Sequence, residues 1–290
     1  MSAPLSLRSA AENIAGPLPA LLAAADQLAS TVMLGDHGRR RAGMGDTFWQ
    51  YRPATTGDEA RSIDWRRSAR ADSNFVADKE WQIAQSVMLW VDTAAAMGFS
   101  SGANLPTKSD RARTLGLATA ILLARGGERV GLTGTRLPPK RSTGQIRQMA
   151  EILCEENVTE FGTPDTTGLL PHGRAIFISD FLGDISTTQT ALTQAADRGI
   201  KGSLLQVLDP QEEAFPFAGR TEFHSMGGAI THETLSADGL KSRYLDKLAQ
   251  RKVALKSLAR QTGWQFHTHH TDMPATTALL WLYQSMETHT

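Results

Sequence analysis

The sequence predicts a three-layer α/β fold: a doubly wound, mostly parallel sheet covered by helices, preceded by an N-terminal helical or irregular extension. Three observations lead there. From residue 86 onward, short unbroken apolar runs alternate with segments of helical periodicity. Three of those runs close on an acid, at Asp92, Asp180 and Asp209. Residues 1–85 do not share the rhythm, so the expected division is an extension over 1–85 and the α/β domain over 86–290. Strands buried on both faces read as continuous apolar runs, and strand–helix alternation implies parallel pairing.

Taken in order, "LPALLAAADQLASTVML" places Leu21, Leu22, Ala25 and Leu28 at helical spacing, an amphipathic packing helix. "SVMLWVD" (86–92) is a buried strand. "SDRARTLGLATAILLARGG" (109–127) is a helix with Ser109 as its cap and a glycine stop. A strand at 128–134, a helix at 142–156 and a strand at 174–180 follow, then a helix at 186–199 and a strand at 201–209. Beyond a polar, glycine-containing excursion come a long helix (239–262), a strand (264–269) and a last helix (275–287).

Composition narrows the function classes. Thirty basic and thirty acidic residues cancel in a chain of 290, so global attraction to nucleic acid or acidic membranes is unsupported. The single cysteine, Cys154, excludes an intramolecular disulfide and a cysteine-based zinc site. No apolar run reaches the roughly 20 residues that span a bilayer. The expectation is a cytoplasmic protein without an integral membrane segment.

The acids at the strand ends admit two readings. In a doubly wound sheet the strand C-termini line one edge, and ligands sit where the strand order reverses. If the strands at 86–92 and 174–180 flank that point, Asp92 and Asp180 converge and could hold a hard cation such as Mg²⁺. Alternatively each acid caps the next helix or turn. "WVDTAAAMGFSS" and the later "IFISDF" resemble the first and last motifs of the von Willebrand factor A fold, whose metal-ion-dependent adhesion site uses D-x-S-x-S, a distal threonine and a further aspartate. The resemblance assigns Asp92 and Asp180 to the aspartates and Thr163 of "FGTPDT" to the threonine. Both motif serines are alanine here, Ala94 and Ala96, and Thr93 puts a hydroxyl at the intervening position. The resemblance thus implies a degenerate site with, at most, weakly bound Mg²⁺.

"TGDEARSIDWRRSAR" (56–70) packs four arginines and three acids around Trp65. The spacing G-D-x-x-R-x-I-D-W-x-x-x-A-R is met by Gly57, Asp58, Arg61, Ile63, Asp64, Trp65, Ala69 and Arg70, with Arg52 upstream. This block resembles that of the bacterial family called domain of unknown function 58, whose members join it to a von Willebrand A-like domain. Asp209, Pro210 and Glu212 resemble the family's D-P-x-E segment, and Tyr244 stands where the family usually has a tyrosine. The resemblance implies a partner, a MoxR-type AAA+ ATPase, and a client complex that the pair assembles or matures.

Residues 36–80 hold nine basic and eight acidic side chains, interleaved, a pattern that does not build a field for phosphates. It suits arginine forks clamping carboxylates, with Trp65 as apolar area or a stacking face for an arginine. A partner-binding surface stays open beside that structural lattice, and nucleic acid or catalysis behind both. The chain has no G-x-S-x-G, P-loop or G-x-G-x-x-G. His267, His269 and His270 lie at a strand end without an acid or histidine at ligand spacing. The long helix carries Lys241, Lys247, Arg251, Lys252 and Arg260 on one face, a solvated side or a dock for an acidic partner. The function expected is a non-enzymatic adaptor acting with the ATPase; the alternative is a Mg²⁺-dependent protein-binding module.

Overall fold

The computed structural model describes residues 17–31, 42–43, 47–55, 63–70, 73–80, 85–155, 157–228 and 231–287. They form two compact units, residues 35–84 and the remainder of the chain.

The larger unit is built on five parallel strands: β4 (Ser86–Val91), β5 (Arg129–Leu132), β6 (Arg174–Ser179), β7 (Lys201–Leu208) and β10 (Gln265–His270). Their spatial order is β10-β7-β6-β4-β5. Successive side chains of a strand point to opposite faces, and the burial follows that period. Val87, Leu89 and Val91 join Ile176, Ile178, Leu205 and Val207 in one core. Met88, Ala175, Phe177 and Leu204 join the other. Each fully buried aliphatic side chain contributes about 1.5–3 kcal/mol, so the two cores together hold the sheet between its helices.

The first core is covered by α1 (Pro17–Ser30), α3 (Lys108–Arg125), α4 (Thr143–Leu153) and α8 (Ala275–Glu287). The second is covered by α5 (Ile185–Asp197) and α7 (Asp238–Gln261). The three-layer expectation holds, and the helix and strand positions fall within three residues of those read from the sequence. Helix α3 is buried on nearly every side, because α1 and α8 pack on the faces that the sheet leaves open. Gly116 belongs to that packing: a Cβ there would stand 2.6 Å from Val91 Cγ2.

Three details differ from the expectation. Helix α1 packs in the larger unit through buried Ala25 and Ala29, instead of sharing an extension with the signature block. Thr107, not Ser109, caps α3: its hydroxyl oxygen accepts from the Asp110 N–H at 3.0 Å, and Ser109 is buried. The polar excursion after β7 contains α6 (Pro210–Ala214) and a hairpin of β8 (Thr221–His224) and β9 (Thr231–Thr234).

The smaller unit, expected to be helical or irregular, contains an antiparallel sheet of β1 (Ala42–Gly43), β2 (Thr47–Pro53) and β3 (Phe75–Glu80) in the order β1-β3-β2. Helix α2 (Trp65–Ser68) is its one described helix. No helix among the described residues is long and apolar enough to cross a membrane.

At the turn from α3 into β5, Glu128 is buried, and burial pushes its carboxyl up to about 7 against the pull of the Gln85 N–H and of Arg174, Arg129 and Arg141. An acid whose pKa is higher folded than unfolded binds more protons when folded, so its contribution to stability falls as pH rises between the two values. For Glu128 that window runs from 4.5 to about 7. Glu128→Gln is therefore expected to raise Tm at pH 8 and to flatten the fall in Tm between pH 5 and pH 8, read by calorimetric scans. An unchanged slope would refute the assignment.

Candidate functional site

The strand order reverses between β4 and β6: the chain runs from β4 out to β5, then returns to β6 and proceeds to β7 and β10. In doubly wound sheets, ligands bind outside the strand C-termini at this point. β4 and β6 are hydrogen-bonded neighbours there, so Asp92 and Asp180 follow the ends of adjacent strands, and the charge of Asp180 acts on Asp92.

The residue that organises this edge is a lysine. Lys108 is the first residue of α3, 1% exposed, and its Nζ lies 2.7 Å from Asp180 Oδ2 and 2.7 Å from Glu212 Oε1. A cation at a helix N-terminus opposes the macrodipole, and burial works to lower the lysine pKa. The two carboxylates outweigh burial and hold it above the ordinary lysine value. Glu212 is raised, first by burial, while Lys108 draws it back. The other Asp180 oxygen accepts from the Leu182 N–H at 3.0 Å.

Glu212 also closes a capping box at α6. Its second oxygen accepts from the Asp209 N–H at 2.8 Å, while Asp209 accepts from Gln211 N at 2.9 Å and from Ser101 N at 2.9 Å. Asp209 is fully buried, and its role is to cap. Two non-glycine residues adopt left-handed backbone here: Phe181 (φ 51°), directly after Asp180, and Phe215 (φ 42°), at the end of α6. Each costs about 1–3 kcal/mol and persists because its surroundings impose it.

Asp92 is 3% exposed and spent internally. Its oxygens accept from Ser179 Oγ at 2.7 Å and from the Ala94 N–H at 2.9 Å. Burial raises its pKa, opposed by those two hydrogen bonds. Gly162 packs so closely on the carboxylate that a Cβ would stand 2.2 Å from Oδ1. Thr163 is exposed and Thr93 half-buried. This donor set does not fit Mg²⁺: an ammonium sits on Asp180, glycine backbone covers Asp92, and Ala94 and Ala96 offer no side-chain oxygen. Among the described residues no group of three or more histidine, cysteine, aspartate or glutamate side chains is placed to hold a metal. His269 is buried and pushed down to about 3, chiefly by burial, so it is neutral at physiological pH. His267 stacks on Trp281 with ring centroids 5.0 Å apart, and His270 Nε2 lies 3.1 Å from Glu213 Oε2.

Above this polar floor opens an apolar cavity of about 510 Å³, walled by Phe99, Phe215, Phe217, Phe223, Leu240 and Tyr244. Phe215 stands 5.0 Å from the Tyr244 ring and 5.2 Å from Phe217. The Tyr244 hydroxyl is raised by burial and then by the charges of Glu212 and Asp180. Sequence reasoning missed Lys108 and these aromatics as site residues. The available signals were a lysine placed against the helix dipole, the Thr107–Asp110 capping spacing, and "FPF" (215–217) shortly after the D-P-x-E segment.

In the smaller unit Asp64 caps α2. Its oxygens accept from the Arg67 N–H at 3.0 Å and the Tyr51 hydroxyl at 2.9 Å, and the backbone bond leads in holding its pKa down. Arg67 stacks over Tyr51 at 4.2 Å, so the arginine stacking face is Tyr51, and Trp65 is 60% exposed. Arg70 is exposed. Gly57, Asp58 and Arg61 lie outside the described residues; Arg52 sits in β2, its backbone opposite Val76.

A three-layer α/β domain with an internally paired sheet edge, and a separate small antiparallel unit with an exposed tryptophan, define the class of protein. The chain belongs to the family described as "Protein of unknown function DUF58", whose profile matches residues 50–253. It is 23% identical over 279 residues to Uncharacterized protein Mb1516 of Mycobacterium bovis, covering 90% of this chain and 86% of that one. The same figures hold for Uncharacterized protein Rv1480 of Mycobacterium tuberculosis. Among solved structures it is similar to the conserved hypothetical protein BatB from Bacteroides thetaiotaomicron, with 16% identity, 70% of this chain and 98% of that one covered, and a TM-score of 0.40. An aerotolerance-related membrane protein from Bacteroides fragilis matches with 13% identity, the same coverage and a TM-score of 0.42.

Removing one partner of a buried ionic cluster leaves the others uncompensated, so Lys108→Met is expected to cost about 3–5 kcal/mol in urea unfolding. A loss below about 1 kcal/mol, the scale of an exposed pair, would show that the ammonium is not needed there. Titration with Mg²⁺ or Mn²⁺ is expected to give neither saturable heat nor a rise in Tm. A saturable signal abolished by Asp180→Asn would establish a cation site instead.

Proposed function

We propose that this chain is a non-enzymatic adaptor that works in the cytoplasm with a MoxR-type AAA+ ATPase in the assembly or maturation of a protein complex. One observation carries the reading: Lys108 fills the sheet edge between Asp180 and Glu212, at the position where a doubly wound fold ordinarily receives a ligand. The acids there are committed to caps, hydrogen bonds and an ion pair; the larger unit opens an aromatic cavity to solvent, and the smaller unit, by itself, exposes Trp65. Exposed aromatic groups on a rigid frame are typical anchors of protein interfaces. Family membership supports the ATPase as the partner, through the resemblance that first pointed to it.

The test is affinity isolation of the tagged chain from its native host, with and without ATP, followed by mass spectrometry. The ATPase is expected among the recovered proteins, and Trp65→Ala is expected to reduce its recovery while changing stability by no more than about 0.5 kcal/mol, as exposed substitutions do. Recovery of no ATPase in either nucleotide state would end this reading.

A further inference from the structure

The apolar cavity has a basic mouth that its own chain leaves unanswered. Arg243 and Lys247 both line it and both are exposed. They stand four residues apart on α7, hence on one face of that helix. Among the described residues neither forms an ion pair, although nearby Lys252 pairs with Glu213. The one acid of the lining, Glu212, is already held by Lys108 and by the Asp209 N–H. A ligand entering from solvent therefore meets two free positive charges at the rim, aromatic walls inside and a floor whose carboxylates are already ion-paired and hydrogen-bonded.

We propose that this cavity is a docking site for an extended segment of a protein partner that presents a bulky apolar side chain flanked by acidic residues. The cavity volume of about 510 Å³ suits one large side chain with its neighbours. The apolar group would displace water from the faces of Phe215, Phe217, Phe223 and Tyr244, while the acids meet Arg243 and Lys247. A macromolecular segment fits better than a small amphipathic acid because exposed apolar side chains stand at the turn of the hairpin and just past its second strand. Met226, at its turn, is 50% exposed, and Leu235, just past β9, is 80% exposed. Among the described residues β8 and β9 pair with no other strand, so an extended segment also finds a strand edge beside the cavity. The proposal rests on the adaptor reading for its biological setting but not for its chemistry.

The probe is a fluorescein-labelled peptide with one phenylalanine between two pairs of acidic residues in a glycine–serine frame, followed by fluorescence anisotropy. Saturable binding is expected. Replacing the phenylalanine by alanine, exchanging the acids for lysines, or reversing the rim with Arg243→Glu and Lys247→Glu should each weaken it by about tenfold or more. Both rim positions are exposed, so the reversed variant should keep its Tm, and Phe223→Ala tests the wall independently. Equal binding of the alanine peptide would reduce the site to charge adherence and overturn the proposal. So would an unaffected rim variant, or saturable binding of decanoate with none of the peptide. Isolation of the ATPase separates the two readings. If the rim-reversed chain loses the peptide but still recovers the ATPase, the cavity serves another partner segment and the adaptor reading stands. If the wild-type chain binds the peptide but recovers no ATPase, the cavity stands and the ATPase partnership falls.

Discussion

The sheet edge depends on one buried ammonium. Lys108 joins three elements distant in sequence: the N-terminus of α3, the end of β6 through Asp180, and α6 through Glu212. Without a cation, Asp180 and Glu212 would face each other in a region from which water is largely excluded, where like charges repel strongly. With it, Glu212 can turn its second oxygen to the Asp209 N–H and close the capping box. The box sets the short helix, and the short helix sets Phe215 in its left-handed conformation as a cavity wall. The apolar cavity is thus a downstream product of an ionic contact.

Most of the larger unit could be read from the chain because its signals are local. Continuous apolar runs gave β4, β6 and β7, and helical periodicity gave the helices, with a glycine stop that ends α3 and a cap, Thr107, two residues before the serine the sequence suggested. The hairpin β8–β9 escaped because its strands are only four residues long and mostly polar. Helix α1 was recognised as amphipathic, yet its partner was not, since which helix face it covers is a tertiary matter. Lys108 escaped for a deeper reason. A lysine in sequence is by default a solvated charge, and only the adjacency of β4 and β6, together with the approach of α6, gives it two carboxylates.

The signature block shows the limit of counting charges. Interleaved signs argue against a field for phosphates, but the count does not say which groups pair. Asp64 is answered by a backbone N–H and the Tyr51 hydroxyl, and Arg67 lies on an aromatic face. A carboxylate can be stabilised by donors that carry no formal charge, so a balanced composition does not require a lattice of arginine forks. Trp65, placed by the sequence at the centre of such a lattice, is instead mostly open to solvent. The block identifies the family through its spacing, while its conformation leaves its largest side chain outward.

A cation borrowed from solution has an occupancy that follows ion concentration, chelators and dilution. The ammonium of Lys108 is carried by the chain itself, one per molecule and linked by covalent bonds to the helix whose start it occupies. This sheet edge consequently has no empty form to be filled, and its charge and shape stay constant across ionic conditions that would load or strip a divalent site. A protein built this way has that edge preset from the moment it folds.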